Sequence, residues 1–263
     1  MLNRLLSYLC VIVIAATLIS CDNAINYKKV HEDFSDVKST ADKSHIDSIL
    51  NQLPKYAEIC KNVRYNKLRY DASLLFDFRT IELYQNSKEI AEVMGVLVAD
   101  LGYARFFERV QTCTDLLDAA KTTAEKLAVG NDIFMTFVPK IEENLNNEQI
   151  IFEMVDSLLN ADAIVPTESE KYGISAMFIC GFWLETTHLA LAQQPVIDDA
   201  NMESVENHFK VLHQINVLLD QLSDTEIIEG LKKDFKTIEE VGPHSEKIAD
   251  VIENVRNKLL KSV

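Results

Sequence analysis

Glycine and proline are scarce. Seven glycines and five prolines in 263 residues are too few to punctuate the many turns of an all-β chain. Positive charge is also in short supply, with 26 Lys and Arg against 41 Asp and Glu, for a formal charge of −15. So acidic a chain is a poor partner for nucleic acid and draws no attraction from an anionic bilayer. Cysteine is sparse and scattered. Of five, Cys10 and Cys21 lie at the N-terminus, while Cys60, Cys113 and Cys180 are too far apart for a Cys-x-x-Cys or Cys/His metal pattern. They read as small buried apolar side chains. The chain has no Gly-rich phosphate loop, no His-Glu-x-x-His and no Gly-x-Ser-x-Gly. No cofactor is expected.

What the chain does have begins at its N-terminus. Met1-Leu2-Asn3-Arg4 is a short basic leader. The run from Leu5 to Cys21 is uncharged, and Asp22 ends it. A basic start, an apolar middle and a small residue at the boundary make a secretory signal over 1–20. The run is short for a membrane span, which needs roughly 20 apolar residues. Leu18-Ile19-Ser20-Cys21 resembles the lipobox of bacterial lipoproteins, with Ile19 bulkier than usual at its place. The resemblance implies cleavage before Cys21 and acylation, palmitate included, of that cysteine. Each buried CH₂ contributes about 0.8 kcal/mol, so several acyl chains together hold almost permanently. The alternatives are an uncleaved signal anchor or a plain signal peptide.

Residues 21–43 are polar, charged and weakly periodic, and are expected as a tether. Residues 44–263 are expected as a single all-α, bundle-like domain of about nine to eleven helices. The spacing predicts helices over His45–Leu53, Pro54–Val63 and Leu68–Tyr84. The next runs from Ser87 to Val110, capped by Asn86 or Ser87, and another from Thr112 to Val129, closed by Gly130. Two shorter helices follow over Asp132–Leu145 and Asn147–Asn160. The last three are Asn201–Leu222, Asp224–Glu240 and Pro243–Lys261. The least polar helix, near 167–194, contains an uncharged stretch from Gly173 to Leu184 and is expected at the centre. Lys171 and Glu185 bracket only about 13 residues, too short for a second span. Its small stripe Gly173/Ala176/Cys180 is expected to press on Gly95/Ala99/Gly102.

Two places carry side chains suited to chemistry. Glu185-Thr186-Thr187-His188 puts an acid and an imidazole on one helix face, half of a di-iron motif. No second Glu-x-x-His accompanies it, so no metal site is expected. Asp100 lies inside an apolar run and, if buried, needs a partner. A helix start, a tyrosine hydroxyl or an arginine would serve, and Arg105 follows shortly. If Asp100, Tyr103, Trp183, Glu185 and His188 converge, they form either a buried polar network or a partly polar pocket, the default ligand site.

Three segments carry a family resemblance. Val96-Leu97-Val98-Ala99-Asp100-Leu101-Gly102-Tyr103-Ala104 is similar to a GVYGADLSYA-like segment, with Leu97 and Val98 in place of Tyr and Gly. Cys180-Gly181-Phe182-Trp183-Leu184-Glu185 is similar to a GGWLE-like one, with Phe182 in place of Gly. Leu53-Pro54 followed by Glu58-Ile59 resembles LPSPxEIA. Together, over about Leu53 to Ala192, these resemble an uncharacterised family of all-helical lipoproteins from Bacteroidota. The resemblance implies an all-α body on the cell envelope and no activity. In that group surface export follows an acidic run after the cysteine. Here only Asp22 is acidic before Lys28, which implies a periplasm-facing protein.

The expected function is therefore a membrane-anchored, non-enzymatic lipoprotein. It would be held to the bilayer through acylated Cys21 and would bind or scaffold a protein or small-molecule partner. The alternative is a hydrolase-like or other enzyme using Glu185, His188 and Asp100, since burial beside an apolar helix raises a carboxyl pKa.

Overall fold

The computed structural model describes residues 28–30, 32–37, 42–52, 69–127, 168–192, 202–223 and 225–260, with the isolated positions 139–140, 143, 150 and 153. The signal 1–20, Cys21, Cys60, Gly130 and the helices expected over Pro54–Val63, Asp132–Leu145 and Asn147–Asn160 lie wholly or mostly outside them. Among the described residues there is no β-strand and the fold is all-α. The helices are α1 (Lys43–Gln52), α2 (Ser87–Phe106), α3 (Val110–Lys126), α4 (Glu168–Leu191), α5 (Met202–Asp220), α6 (Glu226–Val241) and α7 (Ile248–Leu259). Two 3₁₀ turns, Ala72–Leu74 and Phe78–Leu83, precede α2.

The axis of the molecule is α4 laid on α2; α3 covers α2, α5 and α7 cover α4, and α6 lies on α5 and α7. From 175 to 187 every residue of α4 is buried. By length and composition the segment Glu170–Leu191 could cross a membrane, but 83% of its most apolar window is buried inside the fold. Packing on all sides thus accounts for its lack of polarity.

The two central helices meet backbone to backbone. A Cβ on Gly95 would lie 2.1 Å from the Phe178 carbonyl oxygen, and one on Gly181 would lie 2.0 Å from that of Glu92. The expected stripe on α4 is therefore corrected. Gly181, not Gly173, reciprocates Gly95. Gly173 instead accommodates the ring of Phe34, whose atoms come within 2.8 Å of its Cβ position. The α4 face toward α2 runs through Phe178, Gly181 and Phe182, one residue round from the Ala176/Cys180 line.

The helix expected over Leu68–Tyr84 is absent where the chain is described. Asp71 and Asp77 accept the backbone N–H of Ser73 and Arg79, two residues on. Such side-chain bonds offer the backbone an alternative to helix and start tight turns. The apolar spacing still buries Phe76 and Ile81, through 3₁₀ turns. Asn86 caps α2 through the Lys88 N–H. That helix ends four residues earlier than expected, at Phe106. Glu108 follows with φ 56°, a left-handed residue that turns the chain into α3. Gly242, at φ 72°, ends α6.

Residues 28–37, read from sequence as part of the tether, belong to the body. Val30, Phe34 and Val37 are 1%, 1% and 2% exposed. Their i, i+4, i+7 spacing makes one apolar face, which the many charges between them conceal.

Candidate functional site

The chemistry-bearing residues of α2 and α4 meet in the core. Asp100 and Glu185 are both fully buried. One Asp100 oxygen, Oδ2, accepts the Phe76 N–H at 2.8 Å. That amide is freed for the purpose by the break between the two 3₁₀ turns. Both oxygens of Glu185 are taken by one guanidinium. Arg256 Nε donates to Oε2 at 2.5 Å and Nη2 to Oε1 at 2.8 Å. Nη2 also donates to the Leu74 carbonyl at 3.0 Å. The cluster therefore ties α2, α4, α7 and the 72–76 turn together.

Its charges do not balance if both acids are ionised. Two carboxylates would face one cation, and Asp100 Oδ1 is buried with no donor. The two acids are also close enough for the negative charge of Glu185 to bear on Asp100. One proton reconciles the two observations: a protonated Asp100 leaves the Glu185 carboxylate alone with Arg256, which neutralises it. Burial pushes the Asp100 carboxyl well above the ordinary range, and the negative charge of Glu185 adds to it. Burial raises Glu185 as well, but Arg256 pulls it back.

Tyr103, one turn along α2, works elsewhere. Its hydroxyl donates to the Arg69 carbonyl at 3.1 Å and accepts the Asp71 N–H at 3.0 Å. Its ring stacks on Tyr70 and meets Phe107 edge-on. Trp183 lies two residues from Glu185, about 200° around the helix, and so faces α5. Its Nε1 donates to the His208 carbonyl at 3.0 Å, and its ring stacks on the His208 imidazole at 5.0 Å. His208 Nε2 lies 2.6 Å from Thr187 Oγ1, which donates to the Trp183 carbonyl at 2.7 Å. With its one hydrogen so used, Thr187 accepts from Nε2–H, which places the proton of the neutral imidazole on Nε2. Burial holds His208 down at about 3, and burial with the nearby Arg256 charge holds His188 at about 4.

The structure thus brings Asp100 and Glu185 together, sets His188 within the field of Arg256, and turns Tyr103 and Trp183 to other partners. The arginine that Asp100 and Glu185 share is Arg256, some 150 residues beyond Asp100, rather than the nearby Arg105. Its only signal in sequence is its place in α7 beside the buried Ile252 and Val255. His208 carries no signal beyond helix periodicity.

A cleft of about 420 Å³ lies away from this cluster, between α2, α6 and α7. Its polar lining is Glu89, Glu92, Glu226, Asp234 and Lys258, and its apolar lining includes Ile227, Leu231, Val255 and Leu259. Lys258 is bound to Asp234 at 2.5 Å. Among the described residues no three His, Cys, Asp or Glu side chains converge as a metal site. Cys113 and Cys180 are buried free thiols. Burial pushes Cys113 up to about 11 and Cys180 well above the ordinary thiol range, so neither is a ready nucleophile. No protein family, curated protein or solved structure matches this chain.

Proposed function

We propose that this chain is a bacterial lipoprotein, acylated on Cys21, whose helical body binds or scaffolds a partner at the membrane and performs no chemistry. The observation that carries the non-enzymatic reading is the saturation of Glu185. Both its oxygens are held by Arg256, and Asp100 is enclosed beside it. A general acid or base must reach its substrate's proton, and the cleft of suitable size is lined by other residues. A strongly negative net charge, a helical body and the Leu18–Cys21 segment fit a module that is held in place and recognises something. The resemblance to helical lipoproteins of Bacteroidota supports the same reading.

The shifted carboxyls of Asp100 and Glu185 are what favours the alternative, an enzyme using these acids with His188, because such shifts gather at catalytic sites. Burial inside a structural ion-pair cluster raises carboxyls in the same way, and here burial is the first cause of both shifts. Metabolic labelling with an alkyne analogue of palmitate tests the anchor. Label on the wild type and none on Cys21→Ser, with the variant lost from the membrane fraction, is the expected result. Capture from solubilised membranes tests binding. The wild-type body should retain a partner that a Glu226→Lys/Asp234→Lys variant of the cleft loses. Equal recovery by both would remove the cleft from this reading.

A further inference from the structure

We propose that the body stands on the bilayer with the starts of α2, α4 and α6 and the acidic cleft toward the lipid, and with the α2–α3 tip at 106–110 away from it. This rests on acylation at Cys21 and goes beyond it, because it assigns the face that meets the membrane.

The argument starts from where the tether ends. Val30, Phe34 and Val37 are core residues, so the body begins within ten residues of Cys21. Seven Cα steps separate Cys21 from Lys28, and a fully extended chain spans at most about 3.6 Å per residue, roughly 25 Å in all. The N-terminal segment is fastened to one end of the bundle. Asp33 Oδ2 accepts from the Ser87 N–H at 2.8 Å and from its hydroxyl at 2.7 Å, at the first residue of α2. Asp36 pairs with Lys88 at 2.7 Å, and its carbonyl accepts from Ser223 Oγ at 2.9 Å, just before α6. Phe34 lies on Gly173, near the start of α4.

The other end lies at the limit of the tether's reach. The 20 residues of α2 carry the chain about 30 Å from Ser87 to Phe106, at about 1.5 Å per residue. Turning the tip at 106–110 to the bilayer would lift the attachment point by about that length, which uses up the roughly 25 Å available. The inverted arrangement would need the whole tether drawn taut along the body, whereas the proposed one leaves it slack. The cleft falls on the near side, because Glu89 and Glu92 lie in the first two turns of α2 and Glu226 begins α6. Its acids do not adhere to anionic headgroups. The lipid anchor holds them close to the headgroups.

The test uses the acylated full-length protein in vesicles that carry a headgroup quencher. An environment-sensitive fluorophore is introduced as an unnatural side chain at Gln85, beside the start of α2, or at Gln111, near the tip; both positions are exposed. The Gln85 probe should be quenched more strongly than the Gln111 probe, which lies about 30 Å farther along the bundle. A flexible Gly/Ser spacer of about 20 residues, inserted between Ala24 and Ile25, should abolish the difference. Equal quenching at the two sites, or a difference that the spacer leaves intact, overturns the orientation while acylation stands. Loss of palmitate labelling on the wild type instead overturns the anchored reading, and the orientation with it.

Discussion

At Asp100 the ionised form is the costly one, because both of its neighbours are already committed. In the unfolded chain its carboxyl has an ordinary pKa, and in the folded protein burial and Glu185 raise it. The folded state then holds a proton that the unfolded state has lost. The stability this contributes is complete below the unfolded pKa near 3.8 and declines as pH rises toward the folded value. The decline is about 1.4 kcal/mol per pH unit for one proton. Asp100→Asn keeps an acceptor for the Phe76 N–H and carries no charge at any pH. Denaturant melts of the two proteins from pH 4 upward should therefore show the variant gaining on the wild type at that slope. Parallel curves would mean that Asp100 is ionised. The buried histidines act with the opposite sign. His208 and His188, held down at about 3 and 4, are neutral in the fold where the unfolded chain is charged. Their contribution is present above pH 6.5 and is lost as pH falls through that range toward those values. Because they bend both curves alike, the wild-type-minus-variant difference isolates Asp100. Arg256 is the other half of this balance. Removing it leaves Glu185 buried without a cation, so Arg256→Ala should cost about 3–5 kcal/mol. Arg256→Lys should recover only part, since an ammonium cannot span both carboxylate oxygens. Chemical denaturation of the three proteins at pH 7 measures both.

Among the elements, the contact of α2 with α4 is where volume matters most. At Gly95 and Gly181 an added methyl meets backbone at 2.1 and 2.0 Å, and backbone cannot rotate aside as a side chain can. Either substitution to Ala must pry the two central helices apart, at a cost on the order of 3 kcal/mol or more. Gly230 is the internal control. It too is helical, but nothing lies within 4 Å of its Cβ position. Gly230→Ala should stabilise by about 0.5–1 kcal/mol, through the conformational freedom it removes from the unfolded chain. Thermal melts of the three variants should shift in opposite directions, and a uniform effect would contradict the backbone contact. These elements were also the most legible part of the sequence. The uniformly apolar run of α4 announced a central helix, and the small residues of α2 announced close approach. What periodicity could not supply was phase. Gly173 and Gly181 look alike in sequence, and only the rotation of α4 decides which meets α2. The 3₁₀ turns at 72–83 were hidden for a different reason. Their apolar spacing is helical, and the Asp71 and Asp77 side chains that divert the backbone act over two residues, below the length that a periodic pattern averages. The acid pair was half legible: Asp100 stood out as an acid in an apolar run, and Glu185 as the acid of Glu-x-x-His at the end of one. Arg256 did not, because a single arginine on an amphipathic helix looks like any solvated cation until the fold brings it inside.

Over the whole molecule, the largest departure from the sequence reading is where the body starts. Charges at Lys28, Lys29, Glu32, Asp33 and Asp36 make residues 28–37 look like solvated tether. In the structure two of those charges become fastenings, Asp33 to Ser87 and Asp36 to Lys88, while Val30, Phe34 and Val37 enter the core. Phe34 is the one that matters most, since its ring occupies space that any side chain at position 173 would fill. A body that begins at residue 44, the boundary drawn from sequence, would expose the surfaces of α2 and α4 that this segment covers. Such a truncation should melt well below a body that begins at residue 28. Phe34→Ala in the longer form should account for about 3–5 kcal/mol of the difference, the usual cost of emptying a buried phenylalanine site. Calorimetry of the two lengths and the point variant decides the matter. If all three melt together, residues 28–37 rest on the body without supporting it, and the free tether would be long enough for the tip at 106–110 to reach the bilayer. If they separate as expected, the segment that joins lipid to protein is also a structural part of the bundle, and a pull on the anchor is transmitted directly to the starts of α2 and α4.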